Sequence, residues 1–248
     1  MCGRYTLAAT VAQVAMRFGA TVGPAAGAAG AAERVGQSEA LADLDGPRFN
    51  LAPGQLHPVV VPQGAGRQLT AMTWGLVPRW AREPSARYST INARAETVAE
   101  KPTYRGPLRQ GRCLVPASGF YEWQGSGKSK QPYYMQVVGD DGPGALFAFA
   151  GLYDCWHGPD GAALWSYTII TTTANDRLTP IHARMPVILP PAAEAAWLDP
   201  QAGEAAWLDL LRPYAPAAIT AHPVATLVNR PTCDGPDLIQ PWTAAGVV

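Results

Sequence analysis

A chain of 248 residues, 48% of them hydrophobic, can bury a sizeable core, which excludes disorder along its whole length. Its 19 basic and 19 acidic residues cancel, so a general polyanion binder or a coat for anionic membranes is excluded too, and any nucleic-acid contact has to be local. Apart from Lys101, Lys128 and Lys130, the positive charge is all arginine, the side chain suited to forked phosphate contacts.

In chain order, "GRYTL" reads as a short strand, and "TVAQVAMRFG" places Val11, Val14, Ala15 and Phe18 at helical spacing. From Gly19 to Gly46 an Ala/Gly-rich stretch reads as a flexible surface insertion. From "HPVVVPQ" onward, β-branched and aromatic runs alternate with turn residues: "LTAMTWGL", "RCLVPASGFYEW", "PYYMQVV", "ALFAFAGLYDCW", "SYTIITTTA" and "MPVILP". The loops "QGSGKSKQ" and "GDDGPG" have the composition of hairpin connections. Helical signals are fewer: one helix starting after Asn92 in "NARAETVAEKPTY", and short ones at "PAAEAAWL" and "GEAAWLDLL". Many strands with several helices, and no regular βαβ rhythm, give an α+β domain built on antiparallel sheet. No composition break or internal repeat divides the chain, so residues 1–248 are expected to form one domain.

No run of roughly 18 apolar residues could span a bilayer, and no basic segment followed by an apolar stretch marks a secretory leader. Cys2, Cys113, Cys155 and Cys233 are too scattered for a disulfide framework or a metal cluster. A reducing, cytoplasmic location follows, with no metal and no cofactor.

Reactive residue types concentrate in four places: Cys2 with Arg4; Asn92, Arg94 and Glu96 in "STINARAE"; Glu122 beside Trp123 in "SGFYEWQ"; and His182 with Arg184 in "IHARMP". Singly, each has an ordinary role. Asn92 can cap a helix, Glu122 can be a solvated strand end, and His182 can be a satisfied core histidine. Arg94 and Arg184 can form surface ion pairs, and Trp74 and Trp123 can be core. Their combination with Cys2 points elsewhere. Loss of Met1, which a small second residue permits, would leave an α-amine and a thiol two carbons apart. An α-amine with a pKa of about 7.7–8.0 is partly neutral at pH 7 and can attack an aldehyde. The thiol then closes on the imine carbon to give a thiazolidine. A carboxylate can pass protons, a histidine can serve the carbonyl oxygen, an asparagine can hold the amine, and arginines can grip flanking phosphates.

The chain resembles the SOS-response-associated peptidase (SRAP) family of abasic site processing proteins. The resemblance rests on "MCGR", "NLAPGQ", "WGLVPRW", "INARAE", "RCLVPASGFYEW", "KQPYYM", "FAGLYD", "IHARMPVIL", "LVNRP" and "DLIQP", in order, from the first residue almost to the last. It implies a single SRAP-type α+β domain, with a mainly antiparallel, barrel-like core flanked by short helices. It implies a protein that senses abasic sites in single-stranded DNA and crosslinks to them through Cys2, shielding the lesion from strand cleavage. Asn92 would hold the amine, Glu122 would be the catalytic glutamate, and His182 would assist opening of the deoxyribose ring. Arg4, Arg94 and Arg184 would contact the DNA backbone, and Pro53, Trp74 and Thr171 would line the DNA channel. A monomer is the expected state. Met1 removal, autocatalytic or by a general aminopeptidase, is the peptide cleavage required, and lyase chemistry is the outcome if the thiol is absent. The competing class is the N-terminal-cysteine glutamine amidotransferases, in which Cys2 would hydrolyse a side-chain amide. Their Asn-Gly loop and Arg-Gly-Pro-Asp run are missing, since Leu108 follows "RGP" at Arg105.

Overall fold

The apolar run of "HPVVVPQ" is buried on both faces, and what covers it is a ring of strands closed on itself. The structure, a computed structural model, describes residues 2–22, 40–84, 90–127, 130–139 and 142–242. Its strands are β1 (Arg4–Leu7), β2 (Ala20–Val22), β3 (Arg48–Leu51), β4 (Leu56–Gln63), β5 (Gly66–Trp74), β6 (Asn92–Arg94), β7 (Arg112–Ala117) and β8 (Gly119–Gln124). They continue with β9 (Gln131–Gly139), β10 (Gly142–Pro143), β11 (Phe147–His157), β12 (Ala163–Thr173), β13 (Arg184–Pro186), β14 (Ile188–Leu189) and β15 (Ile219–Pro223). The helices are α1 (Val11–Phe18), α2 (Pro102–Gln110), α3 (Glu194–Leu198) and α4 (Glu204–Asp209).

β5, β4, β7, β11 and β12 pair in that order, antiparallel at each step. The ring closes where β12 meets β5 in parallel, with Tyr167 opposite Trp74. Closure leaves no open edge among these five strands. The strands are buried on both faces: Val60, Leu69 and Leu114 share one face, and Phe149 lies on the other with an aromatic group of Tyr5, His57, Trp74 and Tyr167. Polar atoms inside find one another: Tyr167 Oη lies 2.9 Å from Tyr5 Oη and 2.6 Å from His57 Nδ1.

A second sheet, in the order β10-β9-β8-β1-β3 with β15 on β9, packs against the ring around one shared core. The chain passes from ring to second sheet at Ser118, between β7 and β8. Its N–H donates to Thr6 O, and its Oγ accepts from Ala8 N–H. Gly119 follows because the Tyr134 ring crosses its α-carbon, and a Cβ there would run into that ring. Within β8 the pleat sorts the side chains. Phe120 and Glu122 face the main core, whereas Tyr121 and Trp123 face a small cluster with Tyr134, Val224 and Val228.

α1 forms as its spacing predicts, with Thr10 and Gln13 in a reciprocal capping box and Gly19 in the left-handed conformation at its C-terminus. Two expectations need correction. The Gly19–Gly46 stretch is structured at both ends: Ala20–Val22 runs parallel to β5, Leu41 is buried, and Asp45 Oδ1 accepts from Val11 N–H. Residues 23–39 of that stretch lie outside the described residues. No helix follows Asn92. Asn92 pairs with Ile169 in β6, only one 3-10 turn follows at Ala95–Thr97, and α2 waits for Pro102 at its first turn. Sheet pairing outweighs the local capping preference there.

Candidate active site

β1 and β8 run antiparallel with Arg4 opposite Tyr121 and Tyr5 opposite Phe120. Continuing that register sets Gly3 across from Glu122, which brings the start of the chain to the core-facing end of β8. Glu122 reaches the end of its strand without leaving the protein; it is buried. Burial pushes its carboxyl above the usual carboxylate range, against the opposing pull of positive charge at the amino terminus and on His182.

His182 arrives from the other side, on the turn before β13. Asn175 organises that turn by accepting from Leu178 N–H, and the His182 N–H donates to Leu178 O at 2.9 Å. Gln124, at the end of β8, donates to Pro180 O at 2.9 Å and ties the two arms together. The Arg184 N–H donates to His182 Nδ1 at 3.0 Å, which leaves Nε2 to carry the ring proton in the neutral imidazole.

Glu122, His182, Gly3 and Arg4 line one pocket of about 460 Å³, completed by Trp123, Gly127, Lys130 and Asn229. Cys2 lies beneath it with no exposed surface, its Sγ 3.8 Å from Arg4 O. Burial first, and then the Glu122 carboxylate, push the Cys2 thiol well above the ordinary thiol range. In this state the sulfur is a neutral thiol.

Asn92 is buried and does not line that pocket. Its main-chain carbonyl accepts from Tyr104 Oη at 3.2 Å, and its Nδ2 donates to Ile91 O at 3.0 Å. Among the described residues its buried Oδ1 has no hydrogen-bond partner. Arg4 is half-structural: Nη1 donates to Asn50 Oδ1 and to Val228 O, and burial lowers its pKa. Arg94 is exposed on β6. Arg184 is engaged by Glu96 and by Thr171 O. Pro53 is half-buried in the turn before β4.

Two expected channel residues do not present themselves to a DNA strand. Trp74 and Thr171 are 1% and 0% exposed. Trp74 Nε1 donates to Ile91 O and Thr171 Oγ1 to Ala93 O, so both brace the segment that carries Asn92. The tryptophan of "WGLVPRW" that does face outward is Trp80, 63% exposed between an apolar cleft and one lined by Arg79, Arg105 and Arg109. Sequence reasoning missed it, although a second tryptophan after a proline turn was a signal for a ring carried on a loop. It also missed Asn229, whose Oδ1 accepts from Trp123 Nε1 at 2.8 Å. Asn50 holds the Asn229 loop in place by donating to Val228, Arg230 and Cys233 carbonyls.

Among the described residues, no group of three or more His, Cys, Asp or Glu is placed to hold a metal ion, and no helix is long and apolar enough to cross a membrane.

The chain is 41% identical over 196 residues to the abasic site processing protein YoqW of Bacillus subtilis, covering 78% of this chain and 86% of that one. It is 37% identical over 224 residues to the abasic site processing protein HMCES of Gallus gallus, covering 79% of this chain and 66% of that one. A crystal structure of a Bacteroides thetaiotaomicron protein superposes with a TM-score of 0.81 at 28% identity, covering 98% of this chain and 100% of that one. The family model for the SOS response associated peptidase (SRAP) matches residues 1–231, so the chain belongs to that family.

Proposed function

We propose that this protein processes abasic sites in single-stranded DNA, capturing the lesion's aldehyde as a thiazolidine on Cys2 once Met1 has been removed. The observation that carries the proposal is the convergence of Glu122, His182 and Arg4 on one pocket directly above a buried cysteine at residue 2. The names of YoqW and HMCES support the abasic substrate.

The chemistry follows from the protonation states. His182 Nε2–H hydrogen-bonds to the ring oxygen as the sugar opens, and the proton of the C1 hydroxyl passes to that oxygen as the aldehyde forms. The Cys2 amine attacks that carbon, and Glu122, with its raised pKa, takes the amine proton and returns it to the departing hydroxyl, which leaves as water. The thiol then adds across the imine, sulfur to carbon and proton to nitrogen, closing the five-membered ring. A buried thiol is a poor first nucleophile, so burial favours the order amine first, sulfur second. The open acceptor of Asn92 suits an N–H of the terminal amine. Arg4, Arg94 and Arg184 supply phosphate contacts, Trp80 offers a stacking face, and Pro53 contributes to the channel wall. An abasic nucleotide has no base to unstack, which lowers the cost of entry. Closed as a ring, the aldehyde cannot undergo β-elimination, and the strand is shielded.

The test is intact mass spectrometry after incubation with a uracil oligonucleotide pretreated with uracil glycosylase. The expected product is the chain without Met1, joined to the oligonucleotide with loss of one water. Cys2→Ser keeps an amine but loses the sulfur, so it should form no heat-stable adduct and should cleave the strand by lyase chemistry instead. A heat-stable adduct on Cys2→Ser would refute the thiazolidine step, and an unaltered wild-type mass would refute the whole reading.

A further inference from the structure

Glu96 has no part in the chemistry above, yet it holds one of the best-formed ion pairs in the molecule. Arg184 Nη1 donates to Glu96 Oε1 at 2.6 Å and Nη2 donates to Oε2 at 3.0 Å, a forked, end-on pair. Nη2 also donates to Thr171 O at 2.6 Å, while Nε is buried. The guanidinium therefore has an inner side anchored on β12 and an outer edge closed by a carboxylate. The Arg184 side chain is 17% exposed and that of Glu96 is 47% exposed, so the carboxylate stands between the arginine and solvent. The Arg184 hydrogen bond holds the Glu96 carboxyl below the usual range, and the charge of Arg94 adds to that effect. Glu96 thus sits within the field of both arginines expected to meet the DNA backbone beside the pocket.

We propose that Glu96 is a phosphate surrogate. In the DNA-free protein its carboxylate occupies the donor edge of Arg184 that a backbone phosphate takes in the complex, because both anions fit the same fork. Binding exchanges one anion for the other, so Glu96 sets how readily the groove accepts an undamaged strand. The inference rests on the reading that Arg184 meets DNA. Because the Glu96 side chain is half exposed, water offsets much of what this pair gains, and the penalty it imposes on binding is roughly two- to fivefold.

Fluorescence anisotropy with a labelled oligothymidine that carries no abasic site, at one fixed salt concentration, tests this on four proteins: wild type, Glu96→Gln, Arg184→Gln and the double variant. Thermal melting confirms that each is folded. Glu96→Gln should bind roughly two- to fivefold tighter than wild type, and the gain should vanish in the Arg184→Gln background. An equal gain in both backgrounds would mean that only the loss of a negative charge matters, and the surrogate role would be wrong. Weaker or unchanged binding by Glu96→Gln would make Glu96 a strut for Arg184, which also overturns the proposal. If Arg184→Gln alone binds as wild type does, the underlying reading that Arg184 meets DNA fails, and that result is distinguishable from the others.

Discussion

Two carboxylates are buried to nearly the same depth in opposite corners of this fold, and their neighbours give them different properties. Glu194, at the start of α3, accepts from Arg17 at 2.8 Å and from Arg67 at 3.2 Å. Arg67 also donates to Phe18 O, so α1, β5 and α3 are pinned at one point. Glu122, at the end of β8, has no arginine pair of this kind; its raised pKa is set by burial, against the opposing pull of the amino terminus and His182. A buried acid between permanent cations is a fixed charge. A buried acid among titratable groups can carry a proton.

The sharpest way to break that contrast is Glu122→Gln, which keeps shape and removes the proton carrier. Crosslinking to an abasic oligonucleotide should slow by about 10²–10⁴-fold in a single-turnover gel assay. Stability should move the other way. Because the folded-state pKa of Glu122 is raised, the stability tied to its protonated form is full below the ordinary value of 4.5 and is lost as pH rises through the raised value. The variant escapes that loss, so its advantage in denaturant unfolding should grow as pH rises from 4.5 to the raised value and then level off. A variant that crosslinks at the wild-type rate would remove Glu122 from the proton path.

His57 sharpens the comparison from within the core, where a buried titratable group is partnered by a tyrosine hydroxyl and not by a carboxylate. Burial, and then the charge of Arg48, lower its pKa from 6.5 to about 3, and its Nε2 has no hydrogen-bond partner among the described residues. The folded state thus holds a neutral ring while the unfolded chain takes up a proton below pH 6.5. Stability should fall as pH drops from there to about 3, by an amount on the order of 5 kcal/mol, and then level off. His57→Gln should flatten that part of the profile. If wild type and variant lose stability in parallel, His57 is not the acid-sensitive element.

The same contrast marks what the sequence made legible. Alternation and β-branching found most of the strands, but Glu122 in "GFYEW" reads locally as a solvated strand end, and only the fold buries it on the face of Phe120. The closed ring was not readable without the family resemblance, since it depends on Tyr167 meeting Trp74 across ninety-odd residues of chain. Asn92 shows the limit from the other side: its local signal is a helix cap, and pairing with Ile169 overrides it. Trp74 and Trp80 lie in one short motif, yet only the fold decides that one braces Ile91 and the other faces outward. Asn50 opens the motif "NLAPGQ", yet its role was not legible, because the three carbonyls it holds lie near the other end of the chain.

The smallest expected effect completes the comparison. Glu194→Gln leaves Arg17 and Arg67 facing an amide that cannot neutralise them, and breaking a buried pair from one side costs more than the pair is worth. Both arginine side chains keep about a quarter of their surface in water, at 28% and 22%, and Arg17 and Arg67 retain the Leu146 and Phe18 carbonyls. Solvent therefore softens the loss to about 2 kcal/mol, read as a lower denaturant midpoint with an unchanged slope. The folded fraction should crosslink an abasic oligonucleotide at the wild-type rate, because nothing around Glu194 touches the pocket. If Glu194→Gln instead slowed crosslinking while leaving the midpoint in place, depth of burial and not the company of arginines would be what the two acids share, and the distinction between a fixed charge and a proton carrier would fail.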